Sequence, residues 1–171
     1  MLSLASDEGY HPATRGAIES HQERRERMRG EFPEASEERD PGDPEGLGEE
    51  LDVTVFEDSD FAHDSVTRKS MTGVVAYVGM TPIIVKSSRQ TAVQSSTYAA
   101  EFASAKTGVE TAMGLRYALR SMGCRVKGGS RVYSDNLGVC QSAAIHSSVL
   151  KKKHCAVAYA VCREAVASGA V

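Results

Sequence analysis

The sequence predicts an α/β domain, with flanking helices around a mixed sheet that contains an antiparallel meander of three strands. Val53 and Val55 alternate with Thr54 and Phe56 in the pattern of a strand, and the apolar-rich segments 72–78 and 82–86 are typical of two more strands. The last two segments are joined by the tight connection Gly79-Met80-Thr81, which is typical of such a meander. A fourth strand is predicted at 131–134, where Asp135-Asn136 ends the apolar pattern.

The longest predicted helix follows Ser95-Ser96-Thr97, a pattern typical of a helix start, and continues for about 25 residues without proline. Its apolar residues recur at steps of three and four, as expected for one buried face, and Gly123 provides a C-terminal cap. Further helices are predicted at 137–144 and 154–167. The elements therefore follow the order β-β-β-α-β-α-α.

Residues 1–50 differ from the rest of the chain in charge and composition. They hold 14 acidic residues, 6 arginines and four of the five prolines, whereas residues 51–171 hold 9 acidic residues and 14 Lys or Arg. We expect a disordered acidic, proline-rich arm or connector at 1–50, with a short charged helix at 21–29, and a folded domain at 51–171. The net charge of +5 on the domain favours a polyanionic partner, although an ordinary solvated surface explains it equally well.

The sequence also carries signals about its compartment. No apolar run approaches the roughly 20 residues that a membrane span requires, and the first residues turn polar too early for a secretory signal. The four cysteines are far apart, with no Cys-x-x-Cys pair. We therefore expect an intracellular protein with reduced thiols and no membrane partner.

Three acidic residues stand at informative places in the predicted elements. Asp58 ends the first strand, Glu101 lies in the first turns of the long helix, and Asp135 ends the fourth strand. If the first and fourth strands are neighbours, Asp58 and Asp135 lie side by side at one edge of the sheet, with Glu101 over them. Carboxylates without a partnering arginine suit hard cations, above all Mg²⁺. Two such ions about 3.5 to 4 Å apart activate water and stabilise the leaving oxygen in phosphodiester cleavage.

Each of these acids also has a plainer interpretation. Asp135-Asn136 is a common turn sequence, and Glu101 is equally well explained as a surface glutamate near a helix N-terminus. Glu101 does not fit a capping box, because the residue three positions earlier is Tyr98. A calcium loop beginning at Asp58 does not fit either, because Lys69 stands where such a loop needs a bidentate glutamate.

The basic segment Leu150-Lys151-Lys152-Lys153-His154 precedes the last predicted helix. Cations at a helix N-terminus are disfavoured by the helix dipole. The three lysines therefore indicate a nearby anion such as phosphate, although a solvated charge run in a loop explains them equally well.

Seven short motifs follow one another between Leu51 and Val171. They are Asp58-Ser-Asp-Phe-Ala-His-Asp64, Val66-Thr-Arg-Lys-Ser70 with Thr72-Gly73, Thr81-Pro-Ile-Ile84, Lys86-Ser-Ser-Arg-Gln90, Ser96-Thr-Tyr-Ala-Ala-Glu101, Ser134-Asp-Asn136 and Leu150-Lys-Lys-Lys-His154. In this order they resemble the ribonuclease H domain of copia-type retrotransposon polyproteins, in the reverse transcriptase/ribonuclease H region. Seven motifs in the right order are far more specific than any one of them.

The resemblance implies a ribonuclease H-like fold that cuts the RNA strand of RNA/DNA hybrids with two Mg²⁺ ions, for which Mn²⁺ can substitute. It makes Asp58, Glu101 and Asp135 the catalytic and metal-binding residues. The implied nucleic-acid-binding residues are Ser96, Thr97, Lys151, Lys152, Lys153 and His154. Ser96 and Thr97 are expected to contact sugars, and the three lysines phosphates. A reverse transcriptase domain in a longer polyprotein is implied as a further partner.

Two features depart from the family pattern. The family usually has an aspartate shortly after the Lys-His pair, as a fourth carboxylate, but here His154 is followed by Cys155 and Ala156. The chain also ends at Val171 where the family continues into a last strand, so we expect a domain truncated at its C-terminal end. Three hypotheses stay open: an active nuclease, a catalytically inactive retroelement remnant that binds nucleic acid or nothing, and a structural α/β interaction domain without metal.

Overall fold

The computed structural model describes residues 21–150 and 153–171. Within these residues there are four α-helices, of which the last follows a short 3-10 turn at Lys153–Cys155. The helices are α1 (His21–Arg29), α2 (Thr97–Ser121), α3 (Leu137–Ala144) and α4 (Ala156–Ser168). The strands are β1 (Leu47–Leu51), β2 (Val53–Asp60), β3 (Met71–Val78), β4 (Thr81–Arg89), β5 (Cys124–Val126) and β6 (Arg131–Ser134).

A mixed sheet of four strands forms the centre of the molecule, in the order β4-β3-β2-β6. The strands β2, β3 and β4 are an antiparallel meander, and β6 pairs with β2 in parallel. The predicted meander and the mixed α/β class are therefore confirmed. The first and fourth predicted strands correspond to β2 and β6. They are neighbours, which is the condition for Asp58 and Asp135 to lie close together.

The helix α2 covers one face of this sheet. Apolar residues that alternate along β2 and β3 pack against it, and the buried cluster consists of Val53, Val55, Val74, Ala76, Ala112 and Leu119. The helix begins where the sequence predicts, because Oγ of Ser96 accepts a hydrogen bond from the backbone N–H of Ala99 at 3.3 Å. It ends at Ser121, and Gly123 follows the C-cap residue Met122 with a φ of 75°, in the left-handed region that glycine adopts without strain.

The helices α3 and α4 pack at the other end of α2 and enclose a second apolar cluster. Its buried members are Ala99, Phe102, Ala105, Val109, Val139, Cys155, Cys162 and Ala165. None of the four cysteines forms a disulfide. None of the helices in the described part of the chain is long and apolar enough to cross a membrane.

Residues 21–50 lie against the domain, which differs from the disorder that their composition predicts. The helix α1 has the predicted bounds and buries Met28 against Ala167 of α4. Glu37 accepts hydrogen bonds from the guanidinium groups of Arg116 and Arg120 on α2. The strand β1 pairs in parallel with β5 in a second, two-stranded sheet that the sequence does not predict. The first 20 residues of the predicted arm lie outside the described residues.

Candidate metal centre

Three carboxyl groups meet at the edge of the sheet where β2 and β6 end. Parallel pairing sets Glu57 opposite Ser134, so the residues that follow them lie side by side: Asp58 near the end of β2 and Asp135 just after β6. Glu101 reaches them from the second turn of α2, and one carboxylate oxygen from each of the three residues lies within 4.8 Å of the others. The structure therefore brings together the three acids that the sequence predicts, from three separate elements.

Buried hydrogen bonds fasten the beginning of α2 to the sheet. Nε2 of Gln90 donates to Oγ1 of Thr72 at 2.9 Å and to the carbonyl of Ala100 at 3.0 Å. Oγ of Ser104 donates to the carbonyl of Asp58 at 2.8 Å. Because these bonds join the first turns of the helix to β2 and β3, they hold α2 at a fixed height over the carboxylates.

Glu101 has a strongly perturbed ionisation. Its side chain is 6% exposed, and its Oε2 accepts no hydrogen bond from any described residue. Burial raises the pKa of Glu101 to about 7. The nearby hydroxyl of Ser59 acts against this rise in the pKa, and three nearby negative charges add to it: Asp135, Glu57 and Asp58. A cation beside Glu101 would supply the missing partner for Oε2 and favour the ionised carboxylate.

The donor set of this cluster fits a hard divalent cation. All the ligands on offer are carboxylate oxygens, which Mg²⁺ prefers, and the spacing of 4.8 Å allows them to converge on one ion. Asp58, Glu101 and Asp135 could therefore hold Mg²⁺. Ala156, the first residue of α4, offers no ligand from its side chain at the position where the resemblance implies a fourth carboxylate.

Two further acids follow on β2 and in the turn after it, and each has a separate local role. Asp60 pairs with the ring of His63. Oδ1 of Asp64 accepts hydrogen bonds from the backbone N–H groups of Val66, at 2.9 Å, and Thr67, at 3.0 Å. The hydrogen bonds from Thr67, above all from its backbone, lower the pKa of Asp64 to about 2. Of the acids at the end of β2 and in the following turn, Asp58 therefore belongs to the cluster, whereas Asp60 and Asp64 make contacts within the turn.

Glu57 is a buried acid that the sequence does not single out. It alternates inward with Val53 and Val55, its side chain is 5% exposed, and neither carboxylate oxygen accepts a hydrogen bond of ordinary geometry within the described ranges. Burial raises the pKa of Glu57, and the hydroxyls of Ser104 and Ser134 act against the rise. The alternation along β2 is the signal that places Glu57 on the core face.

Comparison with known proteins gives distant relatives. The "Retrovirus-related Pol polyprotein from transposon RE1" of Arabidopsis thaliana is 30% identical to the chain over 127 residues, and the corresponding polyprotein from transposon RE2 is 29% identical over 127 residues. The chain is distantly homologous to these Pol polyproteins. The match covers 72% of the chain and 8% of each relative, so the chain spans a small part of their length. No family model and no solved structure matches it.

In this Pol-related chain, the predicted sugar contacts lie beside the cluster. Ser96 and Thr97 form the N-terminus of α2, about one turn before Glu101. Thr97 is exposed, and Ser96 keeps its hydroxyl proton available because its Oγ accepts the capping hydrogen bond rather than donating one. Both hydroxyls are therefore free to donate to a ligand over this end of the helix.

The predicted phosphate contacts are described in part. Nε2 of His154 lies 2.8 Å from Oγ of Ser95, which joins the 3-10 turn to the residues just before α2. Lys153 is exposed in the same turn. Lys151 and Lys152 lie outside the described residues. The described end of the basic segment, Lys153 and His154, therefore lies next to the N-terminus of α2.

Proposed function

We propose that the chain is a ribonuclease H-like domain that cleaves the RNA strand of RNA/DNA hybrids as a metal-dependent endonuclease. The convergence of Asp58, Glu101 and Asp135 within 4.8 Å, at one edge of a mixed sheet, carries the proposal. The distant homology to Pol polyproteins agrees with the resemblance of the seven motifs to the ribonuclease H domain of copia-type elements.

In this proposal Asp58, Glu101 and Asp135 hold Mg²⁺ through their carboxylate oxygens, and Mn²⁺ can replace it. When bound, Mg²⁺ supplies a Lewis acid that activates water and offsets the charge of the phosphate. The chain contributes preorganisation. Because Gln90 and Ser104 fasten α2 to the sheet, Glu101 keeps its position relative to the two strand residues during the reaction.

Substrate recognition is assigned to the N-terminus of α2 and the basic segment. In the minor groove of a hybrid, 2′-hydroxyls distinguish the RNA strand, and the hydroxyls of Ser96 and Thr97 are suited to bind them. The basic segment, from Lys151 to His154, contacts phosphates without reading the base sequence. Cleavage is therefore expected to depend on the type of duplex and little on its sequence.

A second candidate is a catalytically inactive remnant of the same fold that binds nucleic acid or nothing. Ala156 favours it, because a methyl group cannot replace the fourth carboxylate that the family offers to its two ions. The two candidate functions involve the same residues at every other position of the site. Only a measurement of cleavage activity therefore distinguishes them.

The decisive experiment is cleavage of a labelled RNA/DNA hybrid by the purified chain with Mg²⁺, Mn²⁺ or EDTA. Metal-dependent cutting of the RNA strand is expected, with loss of cutting in Asp58→Asn and Asp135→Asn. Asp60→Asn is the matched control, because Asp60 pairs with His63 outside the cluster. If the folded wild-type chain does not cut even with Mn²⁺, the nuclease hypothesis is wrong, and Ala156→Asp then tests whether the fourth carboxylate restores cutting.

A further inference from the structure

A cavity of about 300 Å³ adjoins the carboxylate cluster on the core side of β2 and β6. Its walls are mostly apolar and come from the sheet and from α2, α3 and α4; they include Ala105, Val109, Val132, Val139, Ala143 and Val166. This volume lies at the lower end of the range for small-molecule sites, which begins at roughly 300 Å³. The cavity therefore has room for a body of about one aromatic ring.

The carboxyl group of Glu57 is a polar group in the wall of this mostly apolar cavity. The residue lines the cavity and is 95% buried, and both of its carboxylate oxygens are left without an ordinary hydrogen bond by the described residues. The hydroxyls of Ser104 and Ser134 lie near Glu57, but neither makes a hydrogen bond of ordinary geometry with its carboxylate, and that of Ser104 donates to the carbonyl of Asp58. A buried carboxyl group without a donor is costly. A ligand that donates to Glu57 would relieve that cost.

We propose that this cavity binds a small molecule with an apolar body and a terminal amidine group that donates to Glu57. The valine and alanine walls would remove the apolar body from water. An amidinium offers two parallel N–H groups to the two carboxylate oxygens, and such charge-assisted bidentate pairs are stronger than neutral hydrogen bonds. The apolar walls favour the apolar body of the ligand, and the unpartnered carboxylate of Glu57 favours its cationic hydrogen-bond donor.

The cavity and the carboxylate cluster are connected by the backbone of β2 and β6. Glu57 and Ser134, which both line the cavity, immediately precede Asp58 and Asp135. A bound ligand therefore rests on the residues that position two of the three carboxylates. Binding itself does not depend on the proposed nuclease activity and is measured without metal or nucleic acid.

The test is an NMR titration of the full chain with benzamidine, observing the methyl groups of Val109, Val132 and Val139. Saturable shifts at these valines are expected, and toluene, which has the same ring without the amidine, is expected to bind more weakly. Glu57→Gln should weaken benzamidine binding about tenfold or more, because a charge-assisted pair is lost. The affinity for toluene should change little in this variant.

A second variant tests the cavity independently of Glu57. Ala143→Leu adds three carbon atoms to the wall and is expected to abolish the shifts for both probes. Ala118→Leu is the matched control, because Ala118 is exposed on α2 and does not line the cavity. Absence of saturable shifts in the folded wild-type chain would overturn the proposal, as would equal affinity of wild type and Glu57→Gln for benzamidine.

Discussion

The side chain of Glu57 packs directly on the backbone of Gly108 in α2. A Cβ atom at position 108 would lie 3.0 Å from Cγ of Glu57 and 3.3 Å from Cγ1 of Val132, closer than side-chain atoms normally pack. The close approach of α2 to β2 therefore depends on glycine at this position. The same approach sets the distance between the helix that carries Glu101 and the strand that carries Asp58.

Gly108→Ala is expected to lower the free energy of unfolding by about 1 kcal/mol. Alanine gains up to about 1 kcal/mol in helix propensity, but overpacking of a core contact costs roughly 1–3 kcal/mol. The matched control on the same helix is Gly114→Ala, where nothing lies within 4 Å of an added Cβ. That variant is expected to be more stable than wild type by up to about 1 kcal/mol. Urea unfolding measures both, and equal stabilisation by the two substitutions would contradict the close packing at Gly108.

The elements with one buried face are predictable from the sequence, because burial imposes a period on the apolar residues. This holds for β2, β3 and α2. It fails for β1, in which four of five residues are exposed, and for β5, which has only three residues. Neither strand is long enough or buried enough to show alternation, and their pairing joins segments more than 70 residues apart.

The candidate site is predictable to a similar extent. Asp58 and Asp135 stand at the ends of strands whose apolar patterns are clear, so their convergence follows once the strands are neighbours. Glu57 is harder to place, because a glutamate on a strand normally points to solvent and here faces the core. The contact of Glu37 with Arg116 joins residues 79 apart, and no local signal in a polar, proline-rich segment predicts it.

Mg²⁺ is expected to stabilise the folded chain if the cluster is a metal site. Ligand at about 100 times its dissociation constant adds about 2.7 kcal/mol, which corresponds to a rise in Tm of roughly 5–10 °C for a chain of this length. Asp135→Asn should abolish this rise, whereas Asp60→Asn should keep it because Asp60 lies outside the cluster. Thermal unfolding with Mg²⁺ and with EDTA measures the effect. An unchanged Tm in wild type would favour the structural interaction domain without metal.

Without divalent cations, Glu101 is expected to make the folded state less stable as the pH rises. The pKa of Glu101 is raised from 4.5 to about 7, so between these values the folded chain binds more protons than the unfolded chain. Its free energy of unfolding therefore falls as the pH rises through this window. Glu101→Gln removes this contribution. The free energy of unfolding of the variant, relative to that of wild type, should therefore increase as the pH rises from 4 to 8. Urea unfolding in EDTA measures the difference, and parallel pH profiles would be inconsistent with the raised pKa.

Glu37 ties the acidic arm to α2 through two arginines that have little access to water. The side chain of Arg116 is 3% exposed and that of Arg120 is 10% exposed, while that of Glu37 is 17% exposed. Burial by itself would raise the pKa of Glu37, but the hydrogen bonds and charges of the two arginines lower it to about 2. Glu37 therefore favours the folded state while it is ionised.

Glu37→Gln is expected to lower the free energy of unfolding by about 2–3 kcal/mol at pH 7, because it leaves buried guanidinium charge without its carboxylate. The matched control, Glu50→Gln, removes the exposed pair with Arg125 and should cost less than about 1 kcal/mol. The contribution of Glu37 is complete above its ordinary pKa of 4.5 and is lost as the pH falls toward about 2. Urea unfolding at pH 7 and pH 3 should therefore show a smaller difference between wild type and Glu37→Gln at pH 3. A difference that is the same at both pH values, or no larger than that of Glu50→Gln, would show that the arm is not held by this ion pair.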